Sequence, residues 1–521
     1  MNEKYLLALD GGTGSFRAIL FNTLGEQIAI NQKDWRHKSN PLYPGSIDFD
    51  FLNNWELIAN CIKELIEKSC INAEQIIGIS TTSMREGFIL YDEVGNELIA
   101  FSNVDARATK EAEFLKTNFP ELEHELFLET GETFALSAIP RLLWVKDHLP
   151  DIYSKVSCIT MINDWISYKL TGVLSSEPSN ASTSGLFGLE NRNWLTSIAK
   201  KFNLKENIFP KVFESGSLIS NVNELAALKT GLSTKTKVIA GGGDAQLGCI
   251  GIGATQTGQA ALLGGSFWQL EYNTSNPIVD NNAKIRANCH AVPRVWQLEA
   301  IAWCPGLVMK WFKEGFCHFE NELAIQKKIS VYKILDEKAQ HVPPGCFGLI
   351  SLFSNTMDFK NLKHVSPTIT NFQLDSKKFN TYSFYRSIME NAGLVTYSHL
   401  LLIQDLTDEI IEEIIFAGGS SYSDLWCQII CNILGVKLTI PVEKEATALG
   451  AALLAGVGSG VYKNIEETKQ LIKLEKTFFP DESEHNLYKE IYCRWKEAYP
   501  EYLAIADKGL VDHMWIAPGV K

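Results

Sequence analysis

The sequence predicts an α/β protein of two domains, on three observations. Short apolar runs ending at glycines alternate with segments of helical periodicity, the pattern of strands interleaved with helices. A Gly-rich strand–turn–strand stretch at Tyr5 to Arg17 has a counterpart at Gln259 to Glu271. A chain of 521 residues also exceeds what one hydrophobic core organises.

The first stretch sets the pattern for the rest. Leu6 to Leu9 form an apolar run that ends on Asp10; Gly11, Gly12, Thr13, Gly14 and Ser15 follow, then a second apolar run to Phe21. Glycines here permit unusual backbone angles and let a ligand approach the main chain. Successive N–H groups in such a turn form an anion-binding concavity, and an acid beside it suits hydrated magnesium. A phosphate-binding hairpin and an ordinary Gly-rich hairpin both fit this stretch alone. No G-x-x-x-x-G-K-[ST] is present, and the turn leads into a strand rather than a helix, which argues against P-loop and dinucleotide folds. The protein-kinase motifs are absent too.

Further elements follow in order. A third strand closes near Asp34, and prolines and a glycine between Asn40 and Ser46 mark a loop. Trp55, Ile58, Ile62 and Ile66 give Asn53 to Lys68 an amphipathic helix. Strands at Gln75–Ser80, Phe88–Tyr91 and Leu98–Phe101 lead to the charged pairs Arg85-Glu86 and Asp105-Arg107, which face either a cleft or solvent. Helical periodicity dominates from Glu111 to Lys205, with one helix capped by Gly172. A strand at Val238–Ala240 runs into a Gly-rich turn, Gly241 to Gly243, and then Asp244.

The glycine-spaced segment Gly248 to Gly258 marks the boundary, giving domains of residues 1–250 and 251–521. The second domain opens with strand Gln259–Leu263, turn Gly264-Gly265-Ser266 and strand Phe267–Glu271. Later, Ile414–Ala417 runs into Gly418-Gly419-Ser420-Ser421, followed by a helix over Ser423–Leu434, strand Val436–Ile440 and a small-residue helix, Glu445–Leu454. Two Gly-rich hairpins, each opening a domain, suggest a duplicated fold. Residues 464–521 read as a mostly helical, polar tail.

Bulk composition excludes several classes. A formal charge of −13 argues against nucleic acid or an anionic membrane as main partner. Eleven scattered cysteines without a C-x-x-C imply free thiols in a reducing compartment rather than a disulfide framework or zinc site. The apolar run before Asp10 is too short for a signal peptide, and no stretch reaches membrane-spanning length. A cytoplasmic protein is expected.

The separate signals fall into one register. D-x-G-T-x-S-x-R at Asp10 to Arg17 is followed by G-G-G-D-x-Q at Gly241 to Gln246 and L-G-G-S at Leu263 to Ser266. A-G-G-S-x-x-S-x-x-W-x-Q at Ala417 to Gln428 and E-A-T-A-L-G-A-A at Glu445 to Ala452 complete the set. In this order and spacing the chain resembles the FGGY carbohydrate kinases over about residues 5–455. The resemblance implies two actin-like (ribonuclease H-like) domains with ATP and substrate in the cleft between them. It implies Asp10 as the residue orienting Mg²⁺, through water. Gly12, Thr13 and Arg17 would meet the ATP phosphates, with Gly264, Gly265 and Ser266 as the matching turn. Gly418, Gly419, Ser420 and Ser423 would lie along the adenosine, and Asp244 would be the catalytic base. Arg85, Glu86, Asp105, Arg107 and Gln246 would bind substrate.

Within the family, the segments Trp35-Arg36-His37, Ser83–Gly87, Asn103–Arg107, Leu136–Trp144 and Pro178–Gly185 are similar to the branch acting on autoinducer-2. That branch phosphorylates its linear form, 4,5-dihydroxy-2,3-pentanedione, on the C5 hydroxyl. Gly265 departs from the Gly-Thr-Ser of many relatives at the second turn. The alternatives are a kinase for xylulose, a tetritol or glycerol, an actin- or chaperone-like ATPase, and a sugar-binding regulator. A sugar-transport regulatory protein is a candidate partner besides the small-molecule substrate.

Overall fold

The computed structural model describes residues 3–35, 37–443 and 445–520. Its two main sheets repeat one strand order. In the first, Tyr5–Gly11, Ser15–Asn22 and Gln27–Asp34 form an antiparallel meander. Ile76–Ser83 joins parallel to Tyr5–Gly11, Lys237–Gly243 joins parallel beyond it, and Leu218–Asn221 closes the edge antiparallel. In the second sheet the meander is Ala260–Gly264, Trp268–Thr274 and Trp296–Ile301. Glu413–Ala417 and Lys437–Pro441 follow in parallel and Leu474–Phe478 closes antiparallel. This is the duplicated two-domain actin-like plan, with one addition: Arg286–Cys289 extends the second sheet past Trp296–Ile301.

The first sheet is apolar on both faces because helices cover both. Leu7, Leu9, Ala18 and Leu20 pack with Ile58 and Ile62 of helix Phe51–Ser69 and with Trp165 and Ile166 of helix Ile162–Thr171. On the other face, Leu6, Ala8, Ile19 and Phe21 pack with Ala448, Ala452 and Leu453 of helix Ala446–Ser459. That small-residue helix, from the second half of the chain, therefore lies on the first sheet. It also crosses helix Asp244–Gly251, which starts at the end of strand Lys237–Gly243.

Three expectations are corrected. Gly241 to Gly243 continue their strand instead of turning; a Cβ at Gly241 would sit 1.7 Å from the Thr81 carbonyl oxygen, so glycine allows a close strand pairing. Within the helical region, Cys158–Met161 is a strand paired with Phe88–Tyr91. The tail holds helix Glu482–Asp507 but also two strands, Leu474–Phe478 at the sheet edge and His513–Ile516 paired with Lys363–Val365. Among the described residues no helix is long and apolar enough to cross a membrane.

Candidate active site

Arg17, Asp244, Gly264, Gly265, Gly418 and Glu445 line one cleft of about 220 Å³ between the two sheets. The fold thus brings the first hairpin, the second turn and the third Gly-rich motif to one place.

In the hairpin, Asp10 and Arg17 are direct cross-strand partners. Arg17 Nε donates to Asp10 Oδ2 at 3.1 Å, and the guanidinium also pairs with Glu445, just before helix Ala446–Ser459. Burial pushes the Asp10 carboxyl up, and Arg17 pulls against it. None of Gly11, Gly12 and Gly14 has a positive φ, so unusual angles do not explain them; a Cβ on Gly14 would meet nothing within 4 Å, so what glycine provides there is open access to the main chain. Trp35 Nε1 donates to the Gly12 oxygen at 3.0 Å, and His37 Nε2 lies 2.8 Å from the Thr13 oxygen. With those carbonyls turned one way, the following peptide N–H groups point the other. Trp35 and His37 thus brace this turn; Arg36 lies outside the described residues.

The second turn is as open. Ser266 is exposed, and a Cβ on Gly265 would have only the Phe267 oxygen within reach, at 3.8 Å. Gly418 does require glycine: its φ is +98°, and a Cβ would come within 2.6 Å of the Gly264 oxygen. Gly419 is open, Ser420 buried, and Ser423 caps helix Asp424–Leu434. The Ser423 hydroxyl donates to Asp336 Oδ2 at 2.8 Å, an acid not anticipated at this end of the cleft.

Asp244 begins its helix at the cleft wall, with 46% of its side chain open. The opening faces a narrow cleft, where lost hydration raises its carboxyl to about 6; Arg85 opposes the rise, while Asp10 and Glu299 add to it. Arg85 Nε stands 3.3 Å from Asp244 Oδ1. Glu86, at a left-handed φ of 66°, accepts from Arg286 Nη1 at 2.8 Å. Gln246 is fully buried; its Nε2 donates to Gln297 at 3.0 Å, and its Oε1 has no partner among the described residues. The segment Pro178–Gly185 supports these groups: Ser179 Oγ accepts from the Gly243 N–H at 3.0 Å, and Thr183 Oγ1 from the Glu86 N–H at 3.2 Å. Asp105 and Arg107 pair with each other, Nε to Oδ2 at 2.8 Å, and Arg107 also binds Asp48. Both are buried, and neither lines the cleft that holds Asp244.

Sequence reasoning missed Glu132, Glu271, Arg286 and Glu299, which gather behind Arg85 and Glu86. The available signal was alternation: Gln269, Glu271 and Asn273 in one strand, Gln297 and Glu299 in another.

A cleft between two duplicated sheets, with facing glycine turns and a carboxylate beside them, suits the phosphates of a nucleotide. Residues 5–251 match the N-terminal domain, and 265–459 the C-terminal domain, of the FGGY family of carbohydrate kinases. The chain belongs to that family. It is 42% identical to an autoinducer-2 kinase of Escherichia coli over 100% of this chain and 98% of that one. It is 41% identical to one from Salmonella typhimurium, covering 99% and 98%. Among solved structures it is similar to the xylulose kinase of Rhodospirillum rubrum, with TM-score 0.83, 20% identity and coverage of 96% and 99%. Plasmodium falciparum glycerol kinase with ADP gives TM-score 0.81 at 18% identity, covering 96% and 98%. At these identities the two structures speak for the fold alone.

Proposed function

We propose that this protein is an autoinducer-2 kinase, transferring the γ-phosphoryl group of ATP to the C5 hydroxyl of 4,5-dihydroxy-2,3-pentanedione. The observation that carries the reading is 42% identity to an autoinducer-2 kinase along the entire chain. The site chemistry is consistent with it. Phosphoryl transfer needs positioning and charge neutralisation more than covalent participation by the protein. The open turns at Gly12–Gly14 and Gly264–Ser266 offer main-chain donors to the phosphates, and the Gly418–Ser423 motif runs along the adenosine. Asp244 accepts the proton of the attacking hydroxyl, and Arg85, Glu86 and Gln246 hold the acceptor.

Among the described residues no three acidic, His or Cys side chains cluster as a metal cage. Asp10, at its strand end beside the open Gly12–Gly14 turn, would be the residue holding hydrated Mg²⁺. Mg²⁺ there would neutralise phosphate charge. Arg17 would leave Glu445 or Asp10 to meet the phosphates. Asp105 and Arg107 would shape the acceptor side through their mutual pair rather than by touching substrate.

Initial rates of ATP consumption over a panel of acceptors test the reading. A kcat/KM for 4,5-dihydroxy-2,3-pentanedione at least about tenfold above those for xylulose and glycerol is expected, since buried polar groups left unmatched penalise the wrong acceptor. Equal or faster turnover of xylulose or glycerol would assign the protein to another acceptor.

A further inference from the structure

On three neighbouring strands of the second sheet, Glu271, Glu299 and Arg286 share one register row, Glu299 facing Glu271 on one side and Arg286 on the other. Asn273, Gln297 and Asn288 form the next row on the same face. A polar sheet face ordinarily meets water. This one is covered by the first domain, and Glu271, Glu299 and Arg286 are at most 1% exposed.

Glu299 grips Arg85 with both oxygens: Nη2 donates to Oε1 at 3.1 Å, and Nη1 pairs with Oε2. A two-point fork fixes the plane of a guanidinium as well as its position. The remaining edge of that plane, Nε, is the one that faces Asp244 at 3.3 Å. We propose that Glu299 is a positioning residue for phosphoryl transfer: reaching over from the second sheet, it locks the Arg85 guanidinium and thereby sets the position and charge of the Asp244 carboxylate. This rests on the reading of Asp244 as the base.

The surrounding charges agree with that role. Burial resists ionisation of Glu299, but Arg286 and Arg85 outweigh it and hold the carboxyl below its usual range. Burial, and then Glu299 beside it, push the Glu271 carboxyl well up, toward its neutral form. Glu132 is likewise raised, to about 8, by burial against the pull of Arg286. Arg85 is held by Glu299, while Arg286 pairs with Glu86 at 2.8 Å and with Glu132 at 2.9 Å. Asp10 acts on Asp244 from the first hairpin, and Arg17 and Glu445 share its cleft.

Glu299→Gln keeps the shape but presents an N–H group to Arg85, which breaks the fork. Loss of the nearby negative charge and a freer Arg85 both favour ionised Asp244, making it a weaker base. The expected result is a kcat lower by at least about tenfold, a part of the 10²–10⁴-fold that a general base typically contributes. The acid limb of the kcat–pH profile should move to lower pH by at least about half a unit, with KM for ATP within about threefold. Glu299→Asp keeps the charge but is too short for the fork; it should also lose about tenfold in kcat, and it carries the test if the first variant does not melt cooperatively. Wild-type kcat and acid limb in folded Glu299→Gln, or wild-type kcat in Glu299→Asp, would overturn the proposal. All rates use the acceptor that the wild type phosphorylates fastest. A preference for another acceptor therefore contradicts the substrate assignment alone, and an active Asp244→Asn contradicts the base assignment.

Discussion

Gly251 and Gly450 abut where two helices cross: a Cβ on Gly450 would lie 3.1 Å from the Gly251 nitrogen and 1.9 Å from the Leu247 oxygen. The crossing joins the helix that begins at Asp244 to the helix that follows Glu445. Both cleft residues are therefore tied to one backbone contact, which leaves no room for a methyl group.

Gly450→Ala should consequently destabilise the protein, although the same change in an open helix gains about 1 kcal/mol. Overpacking costs about 1–3 kcal/mol and here is met by backbone rather than a yielding side chain. A thermal midpoint lower by at least about 2 °C is expected in a melting experiment. An unchanged or raised midpoint would contradict the close crossing.

Much of this arrangement was legible in the sequence. The hairpin from Asp10 to Arg17 and its partner at Gly264 announce themselves through short continuous apolar runs broken by glycine. Asp244 was readable as an acid beyond a buried strand, and Gly172 as a helix cap. Glu299, Arg286 and Glu271 were not, because alternation in Trp268–Thr274 describes a strand with one polar face. Only the packing of the other domain decides whether that face is wet or buried. Nothing local to Trp35 and His37 reveals that they hydrogen-bond the Gly12 and Thr13 carbonyls. One tail strand was hidden by charge: Leu474–Phe478 is an edge strand, and edge strands carry lysine and glutamate.

Asp244→Asn should lower kcat by about 10²–10⁴-fold while ATP binding, followed by nucleotide-dependent thermal stabilisation, remains. The amide keeps the side-chain shape but accepts no proton. A kcat within about threefold of wild type would remove Asp244 as the base.

Activity should fall on acidification through about pH 6, the value to which burial raises the Asp244 carboxyl. The sign follows from the role: the base works only when ionised, and a raised carboxyl loses its charge at higher pH than an ordinary aspartate. A kcat–pH profile flat down to pH 5, with the fold intact by circular dichroism, would contradict this.

Gly418→Ala should weaken nucleotide binding at least about tenfold, because the new methyl group meets the Gly264 oxygen at 2.6 Å and the φ of +98° disfavours any side chain. Both glycine turns would shift together. Calorimetric titration with ADP reads the effect, and wild-type affinity would show that the two turns do not act on one ligand.

The most direct measurement is a competition. Equimolar 4,5-dihydroxy-2,3-pentanedione, xylulose and glycerol are offered with limiting ATP, and the phosphorus NMR spectrum of the products is recorded. With a preference of about tenfold or more, most of the phosphate should appear as one phosphomonoester coupled to the C5 methylene protons of the pentanedione. Phosphate found chiefly on xylulose or glycerol, or released without any ester, would contradict the account.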